Sequence, residues 1–515
     1  MKRRQFLRRL ALSAVGGVSL PAIARPADLV ADTTHGKVRG VAYKGTRLFR
    51  GIPYGGDTSG KNRFMPPTAA PAWAGVRDCT DWGHIAPQHV STGQVSDYTK
   101  MVGWNNYRGG LSEDCLNLNV WTPAGAGSGR AVMVAFHGGG FTSGSGNLVA
   151  LEGTNLARDG DVVVVTVNHR LGALGYTDLS GLGDPRFAAS GVVGMMDCVA
   201  ALQWVRDNIA NFGGDPGKVM IFGQSGGGAK CSTLMCMPSA KGLFHRAAMQ
   251  SGSTITLAHH DVARPRAEAL LAKLGLGRNE LDKLQSLPFE QIVAAQAAAG
   301  PVVDGVVIPR DPFDPDAPAI SADVPMIIGT CLEDQGLSMT DWDIDEAGLK
   351  SWAESQVPGK SAMVLEEYRK LYPAKRPFLI KAMIATDKAW RRNAVLQAER
   401  KTAQGRAPAY MYRWDWPTPA QGGKFGAIHG TDLSMSFENG DTDVGTGTPE
   451  ARLMARRLGS AYLAFAKTGN PNNPAIPHWP AYETGTRPVM VFDVNTRLEK
   501  DPNHALRVMW DKLAG

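Results

Sequence analysis

The sequence predicts an α/β fold: a large, mostly parallel central sheet flanked by helices, with long insertions between its elements. Three observations point there. Short, almost wholly apolar and β-branched runs, Ala131 to Phe136 and Val162 to Val167, have the character of strands covered on both faces. Between such runs lie helical patterns, clearest where Cys198, Leu202, Val205 and Ile209 recur at spacings of four, three and four. One more apolar run, Val219 to Gln224, stops abruptly at a glycine-flanked serine, Ser225, and the following Gly226 to Met235 reads as a helix.

The chain begins with Lys2, Arg3, Arg4, Arg8 and Arg9 in a segment without acidic residues, then a weakly apolar stretch from Leu10 to Leu20 and the small-residue triplet Ala22-Ile23-Ala24. This is the layout of an export signal, residues 1–24, and Arg3-Arg4-Gln5-Phe6-Leu7 resembles the twin-arginine type. Gly16, Gly17 and Pro21 argue against a basic amphipathic helix there. An exported, periplasmic or secreted product is expected. Elsewhere no run of about 18 apolar residues suggests a membrane span in the mature chain.

Those five basic residues supply most of the net charge of +7, leaving an excess of two for the rest. Such a balance offers no basic footprint, and nucleic acid is not an expected partner. With 43% hydrophobic and 20% charged residues over 515 positions, the composition is that of an ordinary globular protein. No low-complexity linker or charge run divides residues 25–515, which are therefore read as one domain. Of the six cysteines, Cys79 and Cys115 form the one candidate disulfide. Cys198, Cys231, Cys236 and Cys331 lie in or beside apolar segments and read as core thiols. No Cys or His spacing suggests a metal site.

After the Ala131 strand comes His137-Gly138-Gly139-Gly140-Phe141, whose glycines would expose main-chain amides in a concave loop. An oxyanion needs such donors. A phosphate cradle is the competing reading, but Ser143 falls where the third glycine of that motif would stand.

Gly223-Gln224-Ser225-Gly226-Gly227 matches the pentapeptide that lifts a nucleophilic serine onto a turn too tight for neighbouring side chains. In a chain with 60 glycines the match alone says little, so its partners carry the argument. A serine nucleophile requires a histidine base and an acid to orient it. Among eleven histidines, His429 stands out, set among small residues in Gly426-Ala427-Ile428-His429-Gly430. For the acid, the strand ending Ile327-Ile328-Gly329 is followed by two adjacent carboxylates, Glu333 and Asp334. The order serine, acid, histidine is the one used by α/β-hydrolases. Later apolar runs, Pro325 to Ile328, Ala409 to Tyr412 and Val489 to Phe492, continue the alternation of strand and helix.

Together these segments resemble the type B carboxylesterase family of α/β-hydrolases, which includes bacterial p-nitrobenzyl-type esterases and, more distantly, cholinesterases. The resemblance runs from about residue 33 to 493. It is carried by Phe49-Arg50-Gly51-Ile52-Pro53-Tyr54, Arg63-Phe64, Ser112-Glu113-Asp114-Cys115, the His137 loop, Asn168-His169-Arg170-Leu171-Gly172, Asn211-Phe212-Gly213-Gly214-Asp215-Pro216, the Ser225 elbow, Gln250-Ser251-Gly252 and the His429 loop.

The resemblance implies an esterase that works through an acyl-enzyme, needs no metal or organic cofactor, and acts on a small-molecule ester. It assigns Ser225 as nucleophile, His429 as base, and the amides of Gly139, Gly140 and Gly226 as the oxyanion hole. Counting from Gly329, the family's acid falls on Asp334, with Glu333 taking its place if the loop is shifted by one residue. Ser251 and Asp432 match positions that surround the triad, and Asp197 that of a buried structural carboxylate.

Gln224 stands where the family often has Glu, which argues against a cationic substrate, and Gly226 where Ala is common. Ala86, before Pro87-Gln88, replaces the usual disulfide partner of Cys115. Substrate choice is expected to lie in the insertions at 90–110, with Trp104 a pocket wall, and at 335–400. The rival readings are an amidase or peptidase using the same triad and a cholinesterase-like binding protein that has lost catalysis.

Overall fold

The computed structural model describes residues 29–90, 95–104, 108–297 and 299–514. The expected export segment and part of the 90–110 insertion lie outside them. A small sheet joins β1 (Val30–Thr33), β2 (Gly36–Arg39) and β5 (Val76–Asp78). The main sheet has eleven strands. Three of them, β3 (Val41–Tyr43), β4 (Thr46–Pro53) and β6 (Asn117–Pro123), form an antiparallel edge that joins β8 (Val163–Val167). From β8 the sheet runs parallel through β7 (Arg130–Phe136), β9 (Gly214–Gln224), β10 (Arg246–Gln250), β11 (Met326–Cys331), β12 (Ala409–Trp414) and β13 (Pro488–Phe492). The far edge, β14 (Arg497–Lys500), is antiparallel.

Strand side chains alternate between two cores, as the period of two requires. Val132, Val134, Phe136, Val219 and Ile221 enter one apolar cluster, while Ala131, Met133, Ala135, Met220 and Phe222 enter the other. The helix Val193–Asn208 covers the first face, placing Cys198, Leu202 and Val205 in that cluster with Ile209 just beyond its end. The helix Pro449–Thr468 covers the second with Met454, Leu458, Tyr462 and Phe465. Both faces being buried explains why the strands are apolar throughout rather than alternating. The stretch Pro185–Phe212 is long and apolar enough to cross a membrane, yet 72% of its most apolar window is packed inside the fold.

Sealed ion pairs tie the motifs together. Asp197 accepts from the main-chain amide, Nε and Nη2 of Arg170 at 3.0, 2.8 and 2.6 Å, so it is the buried structural carboxylate expected of it. Arg63 pairs with Glu113, Nε to Oε1 at 2.7 Å, and caps the Leu287 carbonyl at 2.6 Å.

The candidate disulfide is not formed. Cys79 and Cys115 are both buried, and both are free thiols in the same apolar cluster. Burial pushes the Cys79 thiol up to about 11 and raises that of Cys115 further. The physical reason is that this large core already encloses both sulfurs, each packed as a small apolar group without needing a covalent link.

Candidate active site

The segments singled out in the sequence meet at the carboxyl ends of the parallel strands, where open α/β sheets place their sites. The His137 loop follows β7, Ser225 follows β9, Ser251 follows β10, Glu333 and Asp334 follow β11, and the His429 loop comes after β12.

Ser225 sits between the last residue of β9 and the first of the helix Gly226–Leu234, with φ 58° and ψ −126°. This is a strained conformation for a residue with a side chain, and the surroundings impose it. A Cβ on Gly223 would lie 2.5 Å from the Phe136 carbonyl oxygen, and one on Gly227 only 2.0 Å from the same atom. The glycines are therefore demanded by the close approach of β7 to the turn. Gly226 is equally confined, since a Cβ there would stand 2.1 Å from the Gly140 oxygen.

Gly139 and Gly140 adopt φ of 87° and 61°, which turns their amides out of any regular ladder. The amides of Gly139, Gly140 and Gly226 donate to no protein acceptor among the described residues. The loop is secured at its far end by Gln88, whose Oε1 accepts from the Gly144 amide at 2.7 Å while its Nε2 donates to the Gly144 carbonyl at 2.9 Å.

His429 is fully buried, and its Nδ1 donates to Asp334 Oδ1 at 2.8 Å. The second oxygen of Asp334 accepts from Ser251 Oγ at 2.9 Å and from the Cys331 amide at 2.8 Å. Three donors on one sealed carboxylate fix its plane. That plane in turn holds the imidazole as the Nδ1–H tautomer, leaving Nε2 as acceptor.

Glu333 points elsewhere. Its Oε2 accepts from the Ala427 amide at 2.8 Å, its Oε1 pairs with Lys375, and its own amide donates to the Ala427 carbonyl at 3.1 Å. Burial raises its carboxyl pKa, with Lys375 opposing. Of the two adjacent carboxylates, Asp334 is the partner of His429, and Glu333 fastens the acid loop to the histidine loop.

The structure does not join Ser225 to His429 by a hydrogen bond. Ser225 Oγ has no protein partner among the described residues. Nε2 of His429 instead lies 3.0 Å from the side-chain Nε2 of Gln224, whose Oε1 is buried and unpartnered. Catalytic hydrogen bonds are often open before substrate binds.

Asp432 is fully buried beside the pair and accepts from Tyr412 OH at 2.6 Å, with its other oxygen unpartnered. Burial, reinforced by the charge of Asp334, pushes its carboxyl up to about 6 against the opposing Tyr412 hydrogen bond.

Three contributors escaped the sequence reading. Tyr98 OH donates to the His429 carbonyl at 2.9 Å. Trp390 sets its ring edge-on to His429 at 4.6 Å, closer than Trp104 at 6.0 Å, and comes from the 335–400 insertion expected to shape the pocket. Lys230 is wholly buried behind the Gly139 loop. The one signal for it was its status as the single charged residue of the helix Gly226–Leu234.

A cleft of about 280 Å³ opens over Ser225, walled by Phe141, Thr254, Thr330, Trp390 and Asn393 and floored by Gly140, Gly226 and Gly252. Among the described residues, none with a formal charge lines it. A buried, oriented imidazole, a strained serine in a cleft and three free amides on the adjoining turns can perform acyl transfer.

Comparison with known proteins agrees with this chemistry. The model of the carboxylesterase family matches residues 27–509. The para-nitrobenzyl esterase of Bacillus subtilis is 34% identical over 499 residues, covering 93% of this chain and 97% of that protein. The phenmedipham hydrolase of Pseudarthrobacter oxydans is 31% identical, covering 94% and 99%. Among solved structures, a Geobacillus stearothermophilus carboxylesterase superposes with a TM-score of 0.81 at 33% identity, covering 94% of this chain and all of that one.

Proposed function

This chain belongs to the carboxylesterase family and is a serine carboxylic-ester hydrolase, and from that premise we propose that Ser225, His429 and Asp334 carry the reaction on small to medium, uncharged esters. Ser225 Oγ attacks the ester carbonyl carbon as its proton passes to Nε2 of His429, where the hydroxyl takes the place of the Gln224 amide. The tetrahedral oxyanion accepts from the amides of Gly139, Gly140 and Gly226, each such donor contributing about 3 to 4 kcal/mol to the transition state. His429 returns the proton to the departing alcohol, and water then releases the acid by the same steps in reverse. Asp334 accepts from Nδ1 throughout and steadies the ring.

The observation that carries this reading is the 2.8 Å contact between His429 Nδ1 and Asp334 Oδ1, and the strained turn at Ser225 and the unengaged amides of Gly139, Gly140 and Gly226 support it. The uncharged walls of the cleft support the substrate class, since burying an unpaired charge there would cost several kcal/mol. An amine leaving group would use the same groups, so amidase activity is separated by comparing matched ester and anilide substrates. A faster anilide would displace the esterase reading. The intact site gives no support to a non-catalytic binding protein.

The test is a series of p-nitrophenyl esters of increasing acyl length on wild type and Ser225→Ala. The expected result is a burst of p-nitrophenol in the wild type, a preference for short to medium acyl chains, and loss of at least about 10³-fold in kcat on substitution. Activity persisting in Ser225→Ala would remove the serine from its role.

We also propose that residues 1–24 direct export and that residues 25–515 form the working enzyme outside the cytoplasm. The basic, small-residue composition of that segment supports it. An intact N-terminus, found by mass spectrometry on protein from a bacterial host, would refute it.

A further inference from the structure

A lysine side chain sealed from solvent without a carboxylate is expensive, because removing its charge from water costs several kcal/mol. Lys230 is such a residue. It is 0% exposed, and among the described residues it pairs with no acid. Its ammonium instead faces three main-chain carbonyls: Gly140 at 2.8 Å, His137 at 3.1 Å and Gly226 at 3.4 Å. The ring of Phe141 lies 5.0 Å from the same nitrogen. An ammonium has three donors and no acceptor, and these carbonyls match them one for one.

The position of those carbonyls gives the arrangement its meaning. The His137 and Gly140 carbonyls bracket the peptide units that carry the Gly139 and Gly140 amides, and the Gly226 carbonyl belongs to the residue whose amide is the third donor. The loop has no ladder to define it, with φ of 87° and 61° at its two central glycines. Gly226 leaves no room for a Cβ against the Gly140 oxygen, so the loop and the helix start are drawn into close contact at the point where Lys230 reaches them both.

We propose that Lys230 is a positioning residue of the oxyanion hole: its ammonium gathers the carbonyls of His137, Gly140 and Gly226, aims the three amides at one point, and leaves a positive charge behind them. This rests on the oxyanion reading of Gly139, Gly140 and Gly226 given above. Preorganised donors and a fixed charge act on the anion that develops in the transition state and little on the neutral ester. The effect therefore belongs in kcat rather than in KM.

Burial lowers the Lys230 pKa to about 8. The titratable groups facing it are Cys231 on its own helix, Cys198 on the helix Val193–Asn208, His137 on the loop and His169 after β8. Burial holds both thiols protonated and both imidazoles neutral through that range. Among these groups Lys230 is the one that changes charge near pH 8.

The test compares Lys230→Met, Lys230→Arg and Ser225→Ala with wild type. It measures kcat and KM on p-nitrophenyl butyrate, thermal stability, and inhibition by an alkyl trifluoromethyl ketone, whose carbonyl adds a serine hydroxyl to give a tetrahedral oxyanion. Lys230→Met is expected to lower kcat by about 10²-fold, to move KM less than about threefold, and to weaken the ketone by a factor similar to that in kcat. Lys230→Arg is expected to recover part of the loss and to move the alkaline limb of kcat upward from about pH 8.

A kcat within threefold of wild type in Lys230→Met, or a fall in kcat without weaker ketone inhibition, overturns the proposal. Should Lys230→Met fail to fold, the alkaline limb decides, and one unchanged between wild type and Lys230→Arg overturns it as well. Activity in Ser225→Ala would instead strike the reading on which the proposal rests.

Discussion

The side-chain amide nitrogen of Gln224 lies 3.0 Å from Nε2 of His429, the atom proposed to receive the proton of Ser225. An amide N–H donates to the lone pair that an incoming proton would take, so the residue before the serine bears on proton transfer. Gln224→Glu would set an anionic acceptor there and stabilise the imidazolium. The acid limb of the kcat/KM profile is expected to move up by about one pH unit or more, the direction set by an opposite charge within a few ångströms. A limb that stays in place would show that the contact has no influence on proton transfer.

Asp334 and Glu333 are neighbours with different partners, and substitutions should separate them. Asp334→Asn keeps the shape but reverses the hydrogen-bonding preference toward Nδ1, so kcat is expected to fall by roughly 10³- to 10⁴-fold with little change in melting temperature. Glu333→Gln leaves Lys375 without its charge partner, and is expected to lower the melting temperature while costing less than about tenfold in kcat. Steady-state kinetics beside calorimetry would check both, and the reverse ordering would reassign the acid.

Trp390 closes the cleft over Ser225 and packs edge-on to His429. Trp390→Ala enlarges the cavity and is expected to shift the best p-nitrophenyl ester toward longer acyl chains. It should also lower kcat on the shortest ester, because the imidazole loses a packing neighbour. An unchanged chain-length profile would place the acyl group elsewhere.

Asp432 supplies a pH signature in stability. Its carboxyl, pushed up to about 6 chiefly by burial, keeps its proton in the fold between pH 4 and 6 while the unfolded chain has lost it. The native state therefore binds more protons, and stability falls as pH rises through that window. For a wholly enclosed group the loss is on the order of 3 kcal/mol. Asp432→Asn removes the titration. Denaturant melts at pH 4 and pH 6 should show wild type losing stability relative to Asp432→Asn across this interval, and parallel behaviour would refute it.

What could be read in advance followed from local rules. The strands around Val134, Val165, Ile221 and Ile327 were visible because a sheet buried on both faces requires continuous β-branched or apolar runs, and Ser225 because its turn requires glycine on either side. His429 was visible because its neighbours are small. The choice between Glu333 and Asp334 was open on residue pattern alone. It depends on how the short turn after β11 directs two consecutive side chains, and only the counting from Gly329 favoured Asp334. The contact of Gln224 with His429 and the grip of Lys230 on the Gly140 carbonyl join segments far apart in the chain, and no periodicity encodes them. Cys79 and Cys115 were a candidate pair with the bond left open, and shared burial in a core does not require one.

The segments that build the candidate site hang from the tips of β7, β9, β10, β11 and β12 and span residues 137 to 430. Contacts this distant along the chain form late and together, since each waits on closure of long intervening loops. A sub-fragment holding two or three of these strands is expected to lack ester turnover. Recovery of hydrolysis during refolding is therefore a clock for the last docking event, and it should lag behind the return of helical and strand signal.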